Sequence, residues 1–437
     1  MRRVFLTFGA CCLFAATAHA ALRELSLNDA YALALERSES LAIAAEDIRI
    51  AEARYWQAVS AVLPQVNFIG TVNTQNNAGS SINGGSSTGT RKDRWEGRLQ
   101  VTQTIFNGFR EFNAAAALKA EGRSKTATLE RNRQLLYLDV GDLFFQIIQL
   151  DQDTAALQEI LGTLEDRRKE LTERVSLGRS RKSELLAAET ELADNQASME
   201  ALTGLRGAAR ELFAFLIGVP SSQFSLKSGS TLPPAEKLEA YLWKTGVRPD
   251  IVAADESRTA AERSTSAQKG QFFPSIGVES NYLALEDPER IQEWNILVTA
   301  EIPVFDGGLR IAQLNESKAR LRASQLSLAR ARRLADHEVR VAYNNFISSA
   351  NQLVRVRQAE KTARESYETQ KKDYELGRAS NLDVLASLLR WKDILRGRIG
   401  TEARTQTNLI ALQVAAGEPA PAENPKTQTP NPKGPRP

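Results

Sequence analysis

Two stretches of more than a hundred residues each, 105–219 and 304–418, contain no proline. Proline inside a helix costs about 3 kcal/mol, because it lacks an N–H and clashes with the preceding turn. Runs this long without it suit helices far longer than a globular domain uses. The first run carries a matching apolar seam. Alternate steps of four and three from Leu136 reach Val140, Leu143, Ile147, Leu150, Thr154, Leu157, Leu161, Leu164, Arg168, Leu171 and Val175. Only Thr154 and Arg168 interrupt it, so the period is that of a coiled coil. A helix over about 107–176 would be on the order of 100 Å long at ~1.5 Å per residue. Two shorter helices, about 40–63 and 183–218, would match it if laid end to end. Taken alone, this pattern also fits a structural coiled-coil adaptor.

Between the helices the period changes to two. "QVNFIGTVNT" (65–74) and "RWEGRLQVTQTIF" (94–106) alternate as strands do. In the second, Trp95, Leu99, Val101 and Ile105 fall on one face, and Glu96, Arg98, Gln100, Thr102 and Thr104 on the other. A Gly/Ser/Asn-rich loop, which cannot form a core, joins them. Further on, "PSIGVESNYLAL" (274–285) sets Ile276, Val278 and Tyr282 opposite Glu279 and Asn281. "QEWNILVTAEI" (292–302) sets Trp294, Ile296, Val298 and Ile302 against Glu293, Asn295, Thr299 and Glu301.

These matches come from a duplication. Trp95 and Trp294 stand 199 residues apart, as do Phe106 and Phe305, Gly178 and Gly377, and Glu184 and Asp383. Upstream of the loops the offset is 210, as between Leu41 and Ile251, Glu46 and Glu256, or Pro64 and Pro274. Two units follow, 21–220 with its β-hairpin at 65–106 and 221–418 with its β-hairpin at 274–305. Each reads helix, strand, loop, strand, very long helix, corner, helix. The corners, at 176–183 and 376–382, share Leu-Gly-Arg: Leu177, Gly178, Arg179 and Leu376, Gly377, Arg378. Glycine there lets the chain leave a helix. Ser380 and Asp383 have capping-box spacing, and an acid in the first turn complements the helix dipole.

The strands are long enough to cross a bilayer when tilted, with the apolar face toward lipid and the polar face toward water. Glu96, Arg98, Gln100, Glu293, Asn295 and Glu301 would then line a lumen, and Trp95, Trp294 and Tyr282 would stand at the membrane rims. Four strands cannot seal their own edges in lipid. More than one copy must join.

Composition narrows the function further. Arg2 and Arg3, an apolar run over 4–16 and Ala18-His19-Ala20 read as a signal peptide, residues 1–20. Lipidation at Cys11 is the alternative. Cys11 and Cys12 are the only cysteines, and His337 the only histidine beyond the leader. Disulfide scaffolds and thiolate metal sites are therefore excluded, and neither a metal nor a cofactor is expected. The formal charge of +3 gives no reason to expect nucleic acid as a partner. Gly85-Ser86-Ser87-Thr88-Gly89 has hydrolase spacing but lies in the low-complexity loop. No Walker-type phosphate loop occurs, which removes nucleotide hydrolysis by that route, and with one histidine beyond the leader and no other nucleophile motif an enzyme is not expected. Arg167-Arg168-Lys169-Glu170 reads as a solvated charged face, as does His337 between Asp336 and Glu338. The Pro-rich tail, 419–437, reads as disordered.

The duplicated halves, "TIFNGFR" and "IPVFDGGLR" at the strand-to-helix junctions, and the paired "LGR" corners resemble the TolC-type outer-membrane efflux proteins over 25–417. The resemblance implies an α+β membrane protein. Its homotrimer builds a twelve-stranded β-barrel from four strands per chain, continued across the periplasm by a barrel of α-helical coiled coils. It further implies a passive exit duct for drugs, metals or other substrates, served by a periplasmic adaptor (membrane fusion) protein and an inner-membrane transporter. Type I protein secretion uses the same kind of duct. In the family the tips face the adaptor, and acidic residues beyond them line a constriction. By motif match Asp383 takes one such position. A second family aspartate is replaced by Ala386, and the repeat adds Glu184 to the pore constriction.

Overall fold

The computed structural model describes residues 23–76, 91–227, 232–285 and 294–419. The leader, most of the tail, the low-complexity loop with its Gly85–Gly89 motif, and Glu293 lie outside the described residues. The chain runs β1 (Arg23–Leu25), α1 (Leu27–Arg37), α2 (Glu39–Ser60), β2 (Gln65–Asn76), β3 (Arg91–Asn107), α3 (Arg110–Ser176), α4 (Lys182–Ile217) and β4 (Phe224–Leu226). It continues through α5 (Leu238–Lys244), α6 (Pro249–Gly270), β5 (Ser275–Leu285), β6 (Trp294–Glu301), α7 (Leu309–Glu375) and α8 (Asn381–Ala416).

The halves match element by element. Helices α3 and α7 each have 67 residues, α4 and α8 each 36, and α2 and α6 each 22. The hairpins agree in register as well. Phe68 faces Leu99 in the first, and Val278 faces Val298 in the second. Val72 faces Trp95, and Tyr282 faces Trp294. Offsets of 210 on the first strand and 199 on the second convert each pair into its counterpart.

The sheet runs β2-β3-β5-β6, antiparallel throughout. The helices repeat that order. On α3 pack α2 and α4 from its own half and α6 and α8 from the other, while α6 and α8 also pack on α7. Sheet and helices therefore form one continuous wall with two margins, β2 with α2 and α4 on one side and β6 with α7 on the other.

Apolar clusters hold the layer together. Where α3 passes α1 and α4, Phe144, Phe213 and Phe224 pack ring to ring, and the short parallel pair β1–β4 closes over them. Near the far end, Leu164 of α3 and Leu192 of α4 pack with Tyr367 of α7 and with Leu388 and Trp391 of α8. In the second half, Tyr241 of α5 packs on Val339, Phe346 and Leu412, the counterpart of the first cluster.

The C-terminal end of α8 is closed by cations. Arg248, 1% exposed, grips Asp250 through two bonds of 2.7 and 2.6 Å, pairs with Glu338 at 2.7 Å, and donates to the Ala415 carbonyl. Arg131 donates to the Val414 carbonyl, and Gln134 to those of Gly417 and Glu418. Burial works to raise the Asp250 pKa, but the Arg248 guanidinium outweighs it and holds that carboxyl below its usual range.

Candidate functional site

The sheet has one apolar and one polar face, each running straight across all four strands. Phe68, Leu99, Tyr282 and Trp294 make one continuous apolar row, and Val66, Val101 and Ile296 the next, interrupted by Ser280 on β5. These apolar side chains are largely unburied within one chain; Val72 is 75% exposed and Trp294 64%. The polar face carries a matching row of amides: Asn67, Gln100, Asn281 and Asn295. It is knitted by Glu279, which accepts from Gln100 Nε2 at 2.7 Å and Asn281 Nδ2 at 2.9 Å, while Asn281 Nδ2 also donates to Asn295 at 3.1 Å.

Of the expected lumen residues, Gln100 and Asn295 lie in that amide row. Arg98 stands opposite Leu283, Glu96 opposite Thr71, and Glu301 opposite Ser275 at the helical end of the sheet. Glu279 and Asn281 belong with them. Their place on the polar face follows from the alternation, but their bonding depends on cross-strand neighbours that one strand's pattern does not reveal. The rim aromatics gather toward the loop end, with Tyr282 and Trp294 directly opposite each other and Trp95 facing Val72.

At the other end of the sheet a second aromatic group stands where strands become helices. Phe106 meets Phe109 edge-on at 5.3 Å, Phe109 lies 6.4 Å from Phe112, and Phe272, Phe273, Val304 and Phe305 are exposed at the same end of the sheet. The 199-residue spacing of Phe106 and Phe305 marks this collar in the sequence. Its extent is visible only in three dimensions.

The corners lie at the far end of the helices from the sheet. Both are Schellman turns. Gly377, at φ 71°, donates to the Tyr374 carbonyl and Arg378 to that of Asp373. Gly178, at φ 66°, donates to Val175 and Arg179 to Arg174. A positive φ suits glycine because it has no Cβ. Leu177 and Leu376 are 60% and 65% exposed.

Helix α8 starts with a complete capping box. Asp383 N–H donates to Ser380 Oγ at 3.3 Å, and the Asp383 carboxylate accepts from Ser380 N–H at 2.9 Å and from its hydroxyl at 2.7 Å. Those Ser380 bonds, the hydroxyl's first, hold the carboxyl below its usual 3.8. The other corner departs from this symmetry. Helix α4 has no side-chain cap, and Glu184 instead accepts from Ser180 Oγ at 2.6 Å.

The two corners belong to one end of the wall. The guanidinium of Arg167 lies 4.6 Å from the centre of the Tyr374 ring, and that of Arg174 5.0 Å from it, which ties the end of α3 to the end of α7. This corrects the reading of Arg167 as part of a solvated face. Its side chain is only 12% exposed, because a flat guanidinium can stack on a ring while turning its N–H groups to Glu170, 3.0 Å away. Arg168 and Lys169 are exposed as expected.

No helix among the described residues is long and apolar enough to cross a membrane. The fold is shared with known proteins. Residues 30–219 and 246–418 match the outer membrane efflux protein family. The outer membrane efflux protein BepC of Brucella suis biovar 1 is 20% identical over 322 residues, covering 72% of this chain and 67% of BepC. The outer membrane protein TolC of Salmonella enteritidis is 23% identical over 363 residues, covering 75% of this chain and 69% of TolC. The crystal structure of the outer membrane protein VceC from Vibrio cholerae superposes with a TM-score of 0.79 at 18% identity, over 90% of this chain and 96% of VceC. The two matched segments together take in nearly all the described helices and strands, and this chain belongs to the outer membrane efflux protein family.

Proposed function

We propose that copies of this chain close head to tail into a tube, with β6 of one copy against β2 of the next, and that the tube is the exit duct of an export complex. The observation that carries this is the coincidence of margins. The sheet ends on β2 and β6, and the helical layer ends on α2, which leads into β2, with α4 on the same side, and on α7, which follows β6. Because the four strands alternate in direction, a β6–β2 joint between copies is antiparallel like every other. Three copies, the number the family resemblance implies, give a twelve-stranded barrel. Its apolar rows face lipid and its amide rows face water, with Trp95, Tyr282 and Trp294 at the outer rim. Both margins of the helical layer carry exposed apolar side chains that closure would cover. Trp56, Leu205 and Phe215 stand on one, and Leu326 and Val354 on the other.

At the far end, Leu177-Gly178-Arg179 and Leu376-Gly377-Arg378 offer exposed corners to a periplasmic adaptor, which links the duct to an inner-membrane pump. Asp383 and Glu184, repeated around the axis, form carboxylate rings that narrow the resting opening and favour cations. Purified protein in a planar bilayer tests both parts. Discrete conductance steps are expected, and Asp383→Ala with Glu184→Ala raises the step size and weakens cation preference. A protein without steps would refute the duct. An unchanged conductance in the double variant would remove the two acids from the constriction.

A further inference from the structure

The joint between the two halves within a chain is a template for the joint between copies. In the chain, the trailing edge of the first half (β3, α3) packs against the leading edge of the second (β5, α6). In a closed tube, the trailing edge of the second half (β6, α7) meets the leading edge of the first (β2, α2) of the next copy. Since the hairpins share one register under the 210 and 199 offsets, contacts at the known joint translate residue by residue. This rests on the head-to-tail closure proposed above.

We infer that the joint between copies pairs Val298 with Val72 across the strands and Arg322 with Glu46 across the helices. The strand pair derives from Leu99 opposite Tyr282, and the register from Arg98 to Thr104 runs without a bulge. The helix pair derives from Arg123, which grips Glu256 through bonds of 2.8 and 2.7 Å. Its counterpart Arg322 is exposed on α7, and Glu46 is exposed on α2, where Arg49 engages Oε1. The same translation sets Arg330 at the Phe215 carbonyl, as Arg131 meets that of Val414. A cation there suits the end of α4, which has no basic residue in its last turn.

The glycines support the translation independently. A Cβ on Gly108 would stand 2.1 Å from the Gly270 carbonyl oxygen, so the β3–α3 turn is pressed against the end of α6. The matching turn at Gly307 and Gly308 also has positive φ, yet nothing lies within 4 Å of either position. By translation that space receives the Ser60 end of α2 from the next copy. One half thus shows the contact that the other half keeps the backbone for.

Cysteine pairing tests the register. With Val298→Cys and Val72→Cys together, mild oxidation should link copies covalently and give ladders on non-reducing gels. Val298→Cys with Phe68→Cys, a site ~13 Å further along β2 at ~3.3 Å per residue, should not. An intact oligomer that links only through the displaced pair, or through neither, overturns the register while leaving closure standing. A stable monomer in detergent overturns both. For the helix pair, Arg322→Glu should lower the temperature at which the oligomer dissociates, and adding Glu46→Arg should restore more than half of the loss. Absence of rescue would remove that ion pair.

Discussion

Asp153 is 4% exposed on α3, with Arg396 of α8 3.9 Å from its Oδ1 and Gln149 beside it on its own helix. Burial raises its pKa above 3.8, more than Arg396 and Gln149 lower it. An acid whose folded-state pKa is raised binds its proton more readily folded than unfolded. Its charged form therefore costs stability once the pH climbs above 3.8, and the cost grows until the folded value is passed. Asp153→Asn is expected to melt higher than the parent at pH 8 and to lose that advantage as the pH approaches 4. Melting curves across that interval, followed by circular dichroism, check it. At this scale the sequence was least legible. The burial of Asp153 and the stacking of Arg167 on Tyr374 depend on another helix, and the bond from Gln100 to Glu279 on a strand 179 residues away. A charge run shows how a face would look alone, and nothing of the ring that comes to cover it.

The elements were far more legible. Absence of proline and the four-three seam marked α3 to within a few residues of its observed start at Arg110. Alternation marked the strands and their faces. What escaped were the short pieces: β1, β4, α1 and α5. Their three to eleven residues carry too little period to stand out, and they exist because Leu25, Phe224 and Tyr241 find cover on the long helices. The packing of α3 against the second half also escaped, since a seam identifies a buried stripe without naming its partners.

Two predictions belong to elements. Gly108→Ala drives a methyl into the Gly270 carbonyl, so it should prevent assembly in the outer membrane, read by heat-resistant oligomer on gels. At the corners, Leu177→Glu with Leu376→Glu changes only exposed side chains and leaves the glycine turns unstrained. The double variant should keep its oligomer and its conductance steps in a planar bilayer but no longer bind a periplasmic adaptor in pull-down, and undiminished binding would count against adaptor docking there.

For the whole molecule, the two faces of the sheet predict opposite responses to one charge placed one residue apart. Leu99→Arg puts a cation on the lipid-facing side between Phe68 and Tyr282, just inside the rim, where its cost lies between the ~0–1 kcal/mol of the interface and the ~2–4 kcal/mol of the midplane. Loss of assembled protein from the membrane is expected. Gln100→Arg adds the same charge to the amide row between Asn67 and Asn281. Assembly should survive, and the reversal potential of the channel should move toward anions.

The cage of donors around the end of α8 also bears on where the polypeptide can be cut. The carbonyls of Val414, Ala415, Gly417 and Glu418 are all occupied by Arg131, Arg248 and Gln134. A stop codon placed after Pro419 removes none of those acceptors, and an affinity tag fused there disturbs none. Termination a few codons earlier, before Val414, would strand the Arg248 guanidinium inside the protein with one of its anchors gone.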